Sequence, residues 1–529
     1  MNPLSSQALF ENVSLSIRFL LPELVLVGSA CVLFLLAAFR SNRRTSGFLA
    51  LCAIGAATAV SFYFKEPAFL ASDRFVAAID PTGVAQFVRW LALGAGVLYV
   101  LIGYSDSSRE TAPEYFGCLL VVLAGLSLVA RANDLLSLFL ALEMISIPTY
   151  VLLYLPTKSK AGQEAAMKYF MLSILSSGVL LFGFSHLYGL TGAINLPLIA
   201  ETLSKASQVG PVSPVSPMAL VAVVMVIAGL GFRIAAVPFL FYAPDVYEGA
   251  PNGVVAQLAF IPKVAGLVAL ARVFGLLAPD APFDSTRTLI PLTLWVIAVV
   301  TMTFGNLLAL IQDNLKRLFA YSGIAHAGYM LIGFLVAMSA TGAGTQSGFD
   351  SLLVYLVSYG LMTVGVFAVL GYLQHSGRTV ETVDDLAGLG RTNPFAAGLF
   401  CLFFLSLIGM PLTAGFNGKF LLFFGAFESP TSTPLKDLYR ILALIAAINS
   451  AIAAVYYLKA LGVMFLRTPL QPASPARGYA CFLAALFCAV GTLAFGVYPK
   501  PLVDAARKAA PIPVAAAPEQ PMATLVWKP

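Results

Sequence analysis

Six ionisable side chains stand inside long apolar runs of this sequence: Glu143, Lys168, Arg233, Lys263, Lys419 and Lys459. A charge at the centre of a membrane helix costs about 2.5–3.5 kcal/mol even on the lenient insertion scale, so residues of this kind face a bundle interior or a wet cavity and mark a function there. Glu23 and Arg272 lie at the ends of their runs and read instead as side chains that snorkel to the interface. Prolines accompany most of the charges: Pro148 follows Glu143, Pro238 follows Arg233, Pro262 precedes Lys263, and Pro411 with Gly415 and Gly418 precedes Lys419. Proline donates no backbone hydrogen bond and displaces the carbonyl four residues back, so each site is expected to interrupt its helix and free carbonyls for water and protons. Broken helices at membrane depth are tolerated where they line a polar cavity, and paired breaks in two halves of a chain point to the inverted repeats of transporter folds.

A series of lysines with one glutamate suits the smallest cargo, a proton, which needs only titratable groups and water. A lysine ammonium ordinarily titrates near about 10.4. To pass a proton it must be brought toward neutrality by burial and like charge, at a cost of roughly 4 kcal/mol. Nothing in the sequence suggests a cofactor site: no G-x-G-x-x-G follows a strand pattern, and there is no P-loop and no ligand-spaced histidine cluster. The six cysteines are not paired as C-x-x-C and read as packing residues.

The elements that must position these charges follow from composition. The chain has 529 residues, 59% hydrophobic and 11% charged, with a mean hydropathy of +0.88, which excludes the soluble globular class. Apolar stretches of about 20 residues, enough to cross a hydrocarbon core of roughly 30 Å, recur about fourteen times. The first reads as a retained helix rather than a cleaved signal, because no basic segment precedes it. The fold class is therefore an all-α polytopic membrane protein. The net charge of +6 is spread over many loops and gives no nucleic-acid footprint. The Pro/Ser stretch 207–217 and the Ala/Pro-rich tail from Ala509 carry no recognisable chemistry.

Several strings resemble a known family: LPELVL at 21–26, NDLLSLFLALEMISIPTYVL at 133–152, PDVYEGAP at 244–251, DNLKRLFAYSGIAHAGYML at 313–331 and FLSLIGMPLTAGFNGKF at 404–420. The resemblance is to the antiporter-like membrane subunits of respiratory complex I, the bacterial NADH-quinone oxidoreductase, and within them to the subunit N group. It implies two inverted five-helix repeats with broken helices 7 and 12. Residues 1–110 would then form an N-terminal three-helix region, 111–280 the first repeat, 281–468 the second, and 469–529 a final helix and tail. By the same resemblance Glu143 is the fifth-helix glutamate, Lys168 the sixth-helix lysine, Lys263 the central lysine, Lys419 the terminal lysine, and His326 a protonatable bridge. His186 and His375 have no motif support.

The family usually has lysine at position 233, and His and Trp where this chain has Leu240 and Tyr242. A guanidinium keeps its proton to a pKa above about 12, so Arg233 is expected to hold Glu143 as a fixed ion pair rather than relay a proton. The resemblance further implies that NADH, flavin, iron–sulfur clusters and quinone belong to the whole complex, with none bound by this chain. Its partners would be the other membrane subunits of complex I and the lipid bilayer. The fourteen-helix length without a targeting peptide points to the bacterial cell (inner) membrane. Two competing readings are a subunit of a multi-subunit cation/proton antiporter, which shares the fold, and a structural membrane spacer.

Overall fold

A computed structural model describes residues 17–39, 42–63, 83–108, 110–156, 159–207, 217–274, 289–339, 348–373, 380–428, 436–468 and 479–510. Most of the Pro/Ser stretch (208–216), most of the tail (511–529) and His375 lie outside the described residues. In chain order the helices are α1 (Leu21–Ala37), α2 (Arg43–Tyr63), α3 (Gly83–Asp106), α4 (Ala112–Arg131), α5 (Leu135–Tyr154), α6 (Lys160–Thr191), α7 (Leu196–Ser207), α8 (Pro217–Arg233), α9 (Tyr242–Gly249) and α10 (Asn252–Val273). They continue as α11 (Leu289–Leu310), α12 (Leu315–Ser339), α13 (Gly348–Tyr372), α14 (Leu389–Thr392), α15 (Pro394–Ile408), α16 (Ala414–Phe427), α17 (Lys436–Leu466), α18 (Tyr479–Val497) and α19 (Lys500–Ala509). Among the described residues eleven helices are long and apolar enough to cross a membrane, and α1, α8 and α15 are shorter apolar helices. Together these make the fourteen expected segments.

The interior is formed by α10, all of whose residues are buried, and by α13, packed against it. Outer helices such as α6 and α17 keep one apolar face outward, as lipid requires. One local arrangement occurs twice. Asp134 caps α5 by accepting from the Ser137 amide, and Asn314 caps α12 by accepting from the Arg317 amide. Beside each cap the chain pairs antiparallel with a distant segment, Asp134 with Asn195 and Asn314 with Thr382. Each half also holds a broken helix, α8/α9 and α15/α16.

Two of the four expected interruptions are present. Helix α8 ends at Arg233, with Ala235 at φ +56°, and α15 ends at Ile408, with Gly409 at φ +98°. Helices α5 and α10 instead run unbroken through Pro148 and Pro262. In α5 the turn is braced by the Thr149 hydroxyl, which donates to the Ile145 carbonyl at 2.6 Å. In α10 the enclosing helices hold the axis, and Lys263 Nζ donates to the Ala259 carbonyl at 2.9 Å, next to the Leu258 carbonyl that Pro262 leaves without its usual donor.

Glu23 does not snorkel. It is buried, and both carboxylate oxygens are held by Arg89 of α3, whose Nε donates at 2.9 Å and Nη2 at 2.8 Å. Arg131 Nε of α4 lies 3.7 Å away, and the Ser127 hydroxyl donates to the same carboxylate. Arg272 is likewise buried and donates to the Ala130 carbonyl. A carboxylate that ties α1 to α3 and α4 is hard to remove, because its loss strands buried guanidiniums. Glu23→Ala is expected to cost about 3–5 kcal/mol and to lower the amount of intact assembly recovered in mild detergent. Recovery equal to wild type would show that the cluster does not stabilise the bundle.

Candidate functional site

The first charged group is built by α5, α6 and the end of α8. Arg233, the last residue of α8, reaches across to α5 and α6. Its Nη2 donates to Glu143 Oε1 at 2.9 Å and to Ser177 Oγ at 3.2 Å, and its Nη1 donates to Ser146 Oγ at 2.6 Å and to the Leu142 carbonyl at 3.3 Å. Ser177 Oγ donates to Glu143 Oε1 at 2.6 Å. The Glu143–Arg233 pair inferred from sequence is present, and the planar guanidinium fits it because its separate nitrogens serve several acceptors at once.

Lys168 and Lys459 leave the buried inventory. The Lys168 side chain is 41% exposed and lies 2.7 Å from Glu164 and 2.8 Å from Asp245. Glu164 is one turn back on α6, and the PDVYEG turn of α9 carries Asp245 to it. Arg317 of α12 completes this group, its Nη1 standing 2.8 Å from both Asp245 and Glu248. Lys459, 51% exposed, pairs with Asp313 at 3.3 Å.

Lys263, His326 and Lys419 are fully enclosed. Lys263 Nζ lies 5.4 Å from the centre of the Tyr359 ring. A Cβ at position 323 would stand 3.1 Å from that nitrogen and 2.9 Å from the Tyr359 hydroxyl, so the approach requires Gly323. The Tyr359 and His326 ring centres are 5.1 Å apart, and His326 Nδ1 is 2.5 Å from the Tyr355 hydroxyl. From His326 the contacts continue to the Tyr329 ring at 5.6 Å, over which Lys419 Nζ stands at 5.1 Å. An ammonium over an aromatic face is attracted by the ring quadrupole, which partly replaces lost hydration.

Lys419 also explains the second break. Its Nζ donates to the Leu407 carbonyl at 2.8 Å, the Ile408 carbonyl at 3.0 Å and Ser450 Oγ at 2.9 Å. The two carbonyls are the last of α15, left over because the chain leaves the helix at Gly409. A helix C-terminus attracts cations, so the interruption supplies the acceptors that an enclosed ammonium needs. The freed carbonyls thus receive the lysine itself.

Sequence reading missed the tyrosines, which are ordinary in apolar runs, and a neutral amide pair. Asn306 Nδ2 donates to Tyr329 Oη at 3.0 Å and to Asn449 Oδ1 at 3.2 Å, while Tyr456 Oη donates to Asn306 Oδ1 at 3.1 Å. Two asparagines inside apolar runs, Asn306 and Asn449, were the available signal. Arg89, six residues into its helix, was another.

The family model described as NADH:quinone oxidoreductase/Mrp antiporter, TM, matches residues 132–435, the stretch that carries all of the site residues from Glu143 to Lys419. The chain belongs to that family. Over 505 residues it is 35% identical to an NADH-quinone oxidoreductase subunit N 1 of Solibacter usitatus, covering 94% of this chain and 97% of the relative. It is 36% identical over 499 residues to an NADH-quinone oxidoreductase subunit N of Anaeromyxobacter sp., covering 91% and 94%. A chain of respiratory complex I from Thermus thermophilus matches with a TM-score of 0.72 at 30% identity, over 91% of this chain and 98% of that one. A chain of the Mrp complex from Dietzia sp. matches with a TM-score of 0.73 over 93% and 97%, but at 19% identity this is a likeness of fold alone. Members of the NADH:quinone oxidoreductase/Mrp antiporter family are membrane chains of this architecture, and the fourteen segments place this one among them as a multi-pass membrane protein.

Proposed function

We propose that the chain is the proton-translocating membrane subunit of a bacterial NADH-quinone oxidoreductase, working in the inner membrane beside the other membrane subunits of complex I. Electron transfer from NADH to quinone takes place in those other subunits, and this chain couples it to proton transport. The observation that carries the reading is the enclosed contact series from Lys263 through Tyr359, His326 and Tyr329 to Lys419. Lys263 is the central relay, His326 the bridge and Lys419 the terminal relay. Glu143 is paired with Arg233, while Lys168 acts within the exposed Asp245–Arg317 group. Residues 111–280 and 281–468 act as the two repeats, flanked by 1–110 and 469–529.

Lys419→Ala tests this reading in the assembled enzyme. NADH-driven acidification of inverted vesicles is expected to fall by more than half, with NADH oxidation by an artificial acceptor unchanged. Wild-type pumping by a verified Lys419→Ala complex would overturn the terminal role, and a complex that lacks NADH-quinone oxidoreductase subunits altogether would overturn the assignment.

A further inference from the structure

A cavity of about 700 Å³ opens between α3, α13 and α18, with Leu502 and Ala505 of α19 at one end. It is separate from the lysine series, although its floor, Phe260 of α10 and Gly360 of α13, lies on the helices that carry Lys263 and Tyr359. Every residue that lines it is apolar or aromatic. A partly exposed wall of this kind in a membrane chain is solvated by acyl chains rather than by water.

Its length and ends identify the occupant. On α3 the lining runs from Phe87 to Leu98, a rise of roughly 16 Å at 1.5 Å per residue. One leaflet is half of a hydrocarbon core of about 30 Å, or roughly 15 Å. The slot is therefore one acyl chain deep. It begins at the membrane edge, because α3 starts and α18 ends there, and a Cβ on Gly83 would touch the backbone of Lys508 and Ala509. Trp90 lines this end, where interfacial aromatic side chains concentrate.

The charge at the mouth comes from α19. Leu502, Ala506 and Ala509 are buried, whereas Ala505, which lines the slot, is exposed together with Lys508. Three residues apart on a helix, Ala505 and Lys508 share a face, so Lys508 follows the slot's edge one turn further along α19. Arg507 is 3.7 Å from the buried Asp350 and faces another way. A cation beside an apolar slot one leaflet deep matches a phosphate attached to a fatty chain.

We propose that this slot binds an anionic phospholipid, one acyl chain lying along α3 and α18 and its phosphate on Lys508. Gly94 supplies a clean perturbation: it lines the slot, and a Cβ there would meet no protein atom within 4 Å, so a larger side chain would fill the lipid's space and leave the helices as they are.

The experiment uses the purified complex in phosphatidylcholine vesicles that contain a trace of phosphatidylglycerol carrying a photoreactive diazirine on its acyl chain. After irradiation, labelled peptides are expected to map to 87–98 of α3 and to Phe487 and Phe495 of α18. A phosphatidylcholine probe of the same chain should label them at least fivefold less. Gly94→Leu should lower the phosphatidylglycerol label at these residues at least fivefold, and Lys508→Gln should bring it to the phosphatidylcholine level. If Gly94→Leu lowers the yield of complex, Lys508→Gln, changed on an exposed helix face, carries the comparison. Absence of label in the wild-type slot, equal labelling by the two probes, labelling that neither variant changes, or occupation of the slot by a neighbouring subunit's helix or a quinone tail would each overturn the proposal.

Discussion

Lys263→Ala is expected to remove most NADH-driven proton transport while leaving the amount of assembled complex within about twofold of wild type. Taking a buried ammonium out of the bundle also removes its desolvation cost, which offsets part of the lost packing of the lysine stem, so the fold has little reason to suffer. The chemistry has no substitute. Among the described residues Lys263 pairs with no carboxylate, and it donates only to the Ala259 carbonyl, with the Tyr359 ring leading toward His326. Lys263→Arg separates two roles. A guanidinium keeps the charge but holds its proton, so pumping should be lost in this variant too if Lys263 passes a proton, and kept if it supplies only a positive charge. The measurement is acidification of inverted vesicles, normalised to complex content and to NADH oxidation. Full pumping by Lys263→Ala would remove Lys263 from the path.

At Arg233 the comparison is lysine against alanine. Arg233→Lys is expected to keep assembly and pumping, because an ammonium can still pair with Glu143, although a single nitrogen cannot also reproduce the separate bonds to Ser146 and the Leu142 carbonyl. Arg233→Ala leaves the Glu143 carboxylate with the Ser177 hydroxyl as its neighbour in place of a cation. Breaking a largely buried pair in this way costs about 3 kcal/mol, and both the yield of complex and the rate of acidification should fall several-fold. Equal yield and pumping from the alanine variant would mean that the pair stabilises neither the bundle nor the path.

Much of this molecule is determined by local chain chemistry. An apolar run of membrane length forms a helix whatever its neighbours, since lipid leaves a backbone no other partner, and fourteen such segments could be read from hydropathy alone. The same holds for the interruptions near Pro238 and Pro411, where Ala235 and Gly409 take positive φ and the chain leaves the helix. The Glu143–Arg233 pair was also legible, because two opposite charges in otherwise apolar helices must find each other. Side-chain burial was not. Lys168 and Lys459 stand inside apolar runs as Lys263 does, yet they turn outward to Asp245 and Asp313, because burial depends on which face of a helix meets a neighbour. Glu23 and Arg272 appeared to be end residues free to reach the interface, until α3 and α4 closed over them. Pro148 and Pro262 carry the same missing donor as Pro238, yet α5 and α10 continue through them, since one lost hydrogen bond leaves those on either side in place and the Thr149 hydroxyl adds one to the neighbouring Ile145 carbonyl. The tyrosines that join Lys263 to Lys419 had no distinguishing pattern at all. Only the His326–Tyr329 contact follows from spacing within one helix; the others are decided by tertiary structure, because they bring Lys263 of α10, Tyr359 of α13 and Lys419 of α16 to the rings of α12 or α13 and so depend on how four helices pack.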